Sequence, residues 1–104
     1  MPRSPADRPA ETPSQDKIHY DLSDMKPWRE YAVILFNDEE HSVPEVELQL
    51  VRALGCHLAR ARVLTARVHT NGSAVVALTH RERAFQIAVI LRQINLRVGL
   101  RQTN

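Results

Sequence analysis

Four changes of hydrophobic period run along the chain. Tyr31 to Phe36 (YAVILF) is a continuous β-branched and aromatic run, and the polar cluster Asn37, Asp38, Glu39 and Glu40 stops it at strand length, so it predicts a buried central strand. Val43, Val46, Leu50, Val51 and Leu54 then recur at helical spacing. Ser42 and Glu45 have the S-x-x-E spacing of a capping box, Pro44 falls in the first turn where its missing N–H costs nothing, and Gly55 supplies a stop, which bounds a first helix at 43–54. Leu58, Ala61, Val63, Leu64, Ala66 and Val68 carry a second helix to about His69, ended by Thr70, Asn71 and Gly72.

The period then shortens. Ala74 to Leu78 (AVVAL) is too short for a helix and rich in valine, so it predicts a strand. Thr79 and Glu82 repeat the capping-box spacing ahead of a third helix, whose inner face would be Ala84, Phe85, Ala88, Val89, Leu91 and Ile94. Leu96, Val98 and Leu100 alternate with Arg97, Gly99 and Arg101, the period of a strand with one wet face. The order β-α-α-β-α-β in so short a span leaves one economical arrangement, an α+β sandwich in which three helices cover one face of a three-stranded sheet.

This pattern begins only at Trp28. Five of the six prolines lie in residues 1–27, among Ser, Thr, Asp and Glu with few apolar side chains, so that segment cannot bury enough surface to offset its ordering entropy. Residues 1–27 are therefore expected to be a disordered extension and 28–104 one domain, consistent with 104 residues of which 43% are hydrophobic.

Charge follows the same division. Residues 1–27 carry four basic and five acidic side chains, whereas 28–104 carry ten basic, all arginine, and seven acidic. The arginines are scattered and no aromatic residues alternate with them to stack bases, which argues against a nucleic-acid partner. No apolar run reaches membrane-spanning length and no secretory signal is visible, so a soluble, cytoplasmic protein without membrane association is expected. Cys56 is the only cysteine, and His19, His41, His57, His69 and His80 have no ligand spacing, so neither a metal nor any other cofactor is expected. Without a Ser-His-acid constellation, a Gly-rich phosphate loop or paired catalytic carboxylates, an enzyme is not expected either.

An apolar strand ending in Asn-Asp-acid, a helix starting shortly after, and a second helix ending in Val-His-x-x-Gly before a valine-rich strand together resemble ClpS, the small adaptor that hands N-degron substrates to the Clp AAA+ protease. The resemblance covers residues 31–101 and rests mainly on YAVILFND (31–38) and VHTNG (68–72). It implies a monomeric protein that grips the free α-amino group of a substrate beginning with Leu, Phe, Tyr or Trp and buries that first side chain in a small apolar pocket. It also implies that the N-terminal extension serves in delivery and that the N-terminal domain of a Clp ATPase is the partner.

The residue types suit that task. An α-ammonium group presents three donors and a positive charge, and Asn37, Asp38 and a neutral His69 all offer acceptors. Each has a simpler reading: Asn37 as a turn residue, the acids as a solvated lead into a helix N-terminus, His69 as a cation near a helix C-terminus. By resemblance the apolar walls are Val46, Val68 and Leu96, which would also serve as ordinary core residues.

The chain departs from the family at the pocket, where Val43 and Thr65 stand in place of methionines and His41 replaces a small polar residue. Val43 is shorter and stiffer than methionine, and the Thr65 hydroxyl needs a partner if buried. Glu82 matches an acidic residue that the family presents to the ATPase, and equally the capping partner of Thr79. A family lysine one turn on is matched by Ile87, and the link from the third helix to the last strand is shorter than in many relatives. These departures leave an alternative, a ClpS-like interaction module without N-degron selectivity, or one associated with the ribosome, whose stalk protein has a C-terminal domain of similar fold.

Overall fold

The computed structural model describes residues 29–103. The expected extension, residues 1–27, lies outside them. The order is β1 (Glu30–Phe36), α1 (Val43–Leu54), α2 (Leu58–Asn71), β2 (Ser73–His80), α3 (Arg81–Arg92) and β3 (Val98–Gln102). β1 is the middle strand of a three-stranded sheet ordered β2-β1-β3, antiparallel to both neighbours. The pairing slips between Val33 and Ile34, whose partners are Ala77 and Val75, so Val76 is an extra residue on β2 and is taken into the core.

Tyr31, Val33 and Leu35 alternate along β1 and enter the core with Leu50 of α1, Leu64 of α2, and Ile87 and Leu91 of α3. α2 and α3 lie against the sheet, and α1 packs on both of them. Burying each such large aliphatic side chain contributes about 1.5–3 kcal/mol. Polar ties lock the helices together: buried Gln49 donates from Nε2 to the Ile90 carbonyl at 2.6 Å, and Arg83 donates to the Ala53 and Leu54 carbonyls at the end of α1.

The capping box of α1 forms as its spacing predicts. Ser42 Oγ accepts from the Glu45 N–H, and Glu45 Oε1 accepts from the Ser42 N–H at 2.8 Å. The box expected at Thr79 does not form. β2 continues two residues beyond Leu78, with Thr79 paired to Tyr31 and His80 to Glu30, so α3 starts later and His80 is its cap, Nδ1 accepting from the Arg83 N–H. Glu82 is thereby free of a capping duty and, among the described residues, pairs with Arg81 at 3.8 Å.

The inner face of α3 also differs from expectation. Ala84, Ile87, Ala88 and Leu91, the i, i+3, i+4, i+7 set, are buried, while Val89 is 44% exposed, Phe85 is half-buried and Ile94 lies past the helix end. Ile87 is 2% exposed, so it belongs to the core and does not stand in for a surface lysine.

Candidate functional site

The end of β1 meets the end of α2 because the two backbones are tied there. The Asn37 N–H donates to the Gly72 carbonyl at 2.9 Å, and the Gly72 N–H closes α2 on the Val68 carbonyl. Gly72 does this with φ at 86°, a left-handed conformation that costs a residue with a Cβ. On the other flank, the Phe36 N–H donates to the Arg97 carbonyl at 3.0 Å, and the Arg97 guanidinium lies over the Phe36 ring at 5.2 Å.

Between these ties lies a cavity of about 150 Å³. Asn37, Asp38 and His41 line it from the loop after β1, Val43 and Val46 from α1, Thr65, Val68 and His69 from α2, and Leu96 from the turn before β3. Thus every residue singled out from the sequence for a substrate site borders one space, whereas Glu82 does not. Leu35, Phe36 and Glu39 also line it and were not anticipated. The alternation of β1 places Leu35 with the core, and only the folded cavity shows that this wall faces a ligand-sized space as well.

The polar groups differ in how far they are already committed. Among the described residues no hydrogen bond engages the Asn37 side chain or the His69 ring, and His69 is exposed. Asp38, by contrast, organises its own loop. Its Oδ1 accepts from the Glu40 and His41 N–H groups, each at 2.9 Å, and its Oδ2 accepts from His41 Nδ1 at 2.8 Å. That uses three of the roughly four acceptor positions of a carboxylate. Burial alone would raise the Asp38 pKa, but the His41 N–H, the His41 ring and the Glu40 N–H together hold it below its ordinary value. The Asp38 partner, in turn, raises the pKa of His41 against the effect of burial, helped by the Ile94 carbonyl and by the charges of Asp38 and Glu45.

The apolar walls serve both core and cavity. Val68 and Leu96 are each 4% exposed and belong to the core cluster, while Val46 packs against it. Val43 is 52% exposed at the mouth. The buried Thr65 hydroxyl finds its partner in its own helix, donating to the Ala61 carbonyl at 2.8 Å, so its proton is not available to a ligand. The described residues hold no cluster of His, Cys, Asp and Glu suited to a metal ion, and none of their helices is long and apolar enough to cross a membrane.

The family model described as "ATP-dependent Clp protease adaptor protein ClpS" matches residues 26–99. The fold is similar to that of Agrobacterium tumefaciens ClpS2 bound to L-phenylalaninamide, with a TM-score of 0.68 and 23% identity, over 74% of this chain and 99% of that one. At that identity the likeness concerns the fold. A stretch of 46 residues, 44% of the chain, is 44% identical to the E3 ubiquitin-protein ligase UBR1 of Homo sapiens and of Mus musculus, of which it spans only 3%.

Proposed function

The chain belongs to the ClpS family of Clp protease adaptors, and from that premise we propose that it binds proteins by a free α-amino group and a bulky hydrophobic first residue and delivers them to a Clp AAA+ ATPase. The observation that carries this reading is the pairing, at one cavity, of uncommitted acceptors with apolar walls: the Asn37 carbonyl and a His69 ring nitrogen beside Val46, Val68 and Leu96. Asp38 adds negative charge and one remaining acceptor position. A cavity of this volume matches those that hold a benzene-sized ring. The relative of known structure carries phenylalaninamide, a free amine with a benzyl side chain, which is consistent with such an occupant.

Burying an aromatic first side chain removes roughly 150–250 Å² from water, a gross gain of about 4–6 kcal/mol. Hydrogen bonds to a charged amine add roughly 1.5–3 kcal/mol each, against an association cost of about 4 kcal/mol or more. Both halves of the ligand are therefore needed. In fluorescence anisotropy, a peptide beginning with Phe and a free amine binds, while acetylating the amine or replacing Phe by Gly each abolishes binding. Equal binding of the acetylated peptide would overturn the reading and favour the alternative module, to which the committed state of Asp38 and the replacement of methionine by Val43 and Thr65 lend support.

For the ATPase contact, Glu82 is the candidate, being exposed in the first turn of α3 and outside the core. Reversing its charge with Glu82→Arg should weaken capture of a Clp ATPase N-terminal domain and leave peptide binding intact.

A further inference from the structure

His41 has a hydrogen-bond partner on each side. Nδ1 lies 2.8 Å from Asp38 Oδ2 in its own loop, and Nε2 lies 2.5 Å from the carbonyl of Ile94, 53 residues away. Both partners can only accept, one being an ionised carboxylate and the other a backbone carbonyl. A neutral imidazole has a single N–H and would turn a lone pair toward one of those oxygens, so the two-sided bridge requires the doubly protonated ring.

The far anchor matters for the cavity. Ile94 and Arg97 flank Leu96, and the turn reaches it through Asn95, whose φ is 65°. Arg97 is tied by its carbonyl to the Phe36 N–H and Ile94 by its carbonyl to His41, so the Leu96 wall hangs between two ties. One of them depends on a proton.

We infer that His41 is a positioning residue for side-chain selection: as an imidazolium it straps the acidic loop to the turn carrying Leu96, and the apolar wall loosens when that proton leaves. The effect on binding rests on the amine-and-pocket reading above; the strap itself does not. The groups facing the ring are Asp38 and the Ile94 carbonyl in contact, Glu45 from the first turn of α1, exposed Glu39 and Glu40 in the same loop, and His69 across the cavity on α2. Asp38 and Glu45 favour the charged ring, in line with the raised pKa. The strap is complete below the ordinary histidine value of about 6.5 and is lost as pH rises through the higher folded-state value.

Loss of the imidazolium also strengthens the pull of Asp38 on a ligand ammonium, and the ligand amine itself titrates. Both effects are common to any free-amine peptide, so they cancel in the ratio of affinities for peptides beginning with Phe and with Ala. That ratio should fall roughly threefold to tenfold between pH 6 and pH 8.5, the scale of re-ordering one or two side chains on binding. In His41→Gln it should be low and flat with pH. A ratio independent of pH in the wild type, with Phe peptide still bound, would overturn the inference and leave the proposed function standing. If no peptide binds at any pH, the proposed function fails and the strap is decided in the free protein by nitrogen-15 NMR. Both ring nitrogens of His41 protonated at pH 6.5, with Ile94 and Leu96 amides shifting as the ring titrates, would uphold it. A singly protonated ring at pH 6.5 would overturn it.

Discussion

Asn37→Ala separates the two readings of the Asn-Asp turn, because the side chain and the backbone of Asn37 do different things. The backbone N–H is bonded to the Gly72 carbonyl, and alanine keeps that bond. The side chain borders the cavity without a hydrogen bond among the described residues, so its removal leaves no partner stranded. The expected cost to folding is that of an ordinary half-buried substitution, within about 0.5 kcal/mol, which for a domain of this size is a melting shift of about 2–4 °C. The expected cost to binding is one hydrogen bond to a charged amine, about 1.5–3 kcal/mol, or roughly 10- to 150-fold in Kd.

Both quantities can be read on one preparation, thermal unfolding by circular dichroism and affinity by anisotropy with a free-amine Phe peptide. Affinity should change greatly and the unfolding transition almost not at all. Binding within twofold of wild type would refute the role of the Asn37 carbonyl. A fall in affinity accompanied by an equally large loss of stability would show that Asn37 is a turn residue only.

Asp38→Ala should behave in the opposite way, losing about 1–3 kcal/mol of stability in urea unfolding at pH 6, since three hydrogen bonds within the loop depend on it. Its folded-state pKa lies below the unfolded value, so its stabilisation is present above about pH 3.9 and is lost as pH falls through the folded value; the acid limb of the urea midpoint should flatten in Asp38→Asn. Ile87→Ala should cost about 2–5 kcal/mol by chemical denaturation, as a core residue, while Glu82→Ala costs almost nothing, as an exposed residue open to a partner. Gly72→Ala should cost about 1–2 kcal/mol through its left-handed backbone alone, because an added Cβ would meet open space, and Gly72→Asn should cost less.

The elements were legible where local chemistry decides them. YAVILF reads as strand from its shortness, its β-branched and aromatic content and the four polar residues after it, and Ser42, Pro44, Glu45 and Gly55 bound α1 to the residue. The start of α3 was misplaced because Thr79 satisfies two rules at once: it has capping spacing to Glu82 and it is a β-branched residue opposite Tyr31. Spacing cannot say which rule wins. The ladder with β1 wins because it extends the pairing through Thr79 and His80, and histidine supplies a workable cap one residue later. Ile87, set against a family lysine in the sequence, is buried because it falls on the i, i+3, i+4, i+7 stripe with Ala84, Ala88 and Leu91, a stripe fixed by spacing wherever the helix begins.

Within the site, residue types were legible and commitments were not. Asn37, Asp38 and His69 are three acceptors of comparable promise in the sequence, yet the fold leaves two uncommitted and spends the third on its own loop. Part of this was in principle readable, because Asp38 and His41 are three apart in a turn and Asp commonly binds the N–H groups that follow it. The rest was not. The anchor of His41 on Ile94 is a backbone carbonyl, identical in every residue type, and nothing in a sequence marks which carbonyl a side chain will reach across 53 residues. The carbonyl lies in the turn between α3 and β3, which brings Ile94 to the acidic loop. The same turn places Leu96 on the cavity wall, so its length and the charge state of His41 act on one dimension of the pocket, and a residue inserted between Arg92 and Ile94 should abolish the strap while leaving Asn37 and His69 where they are.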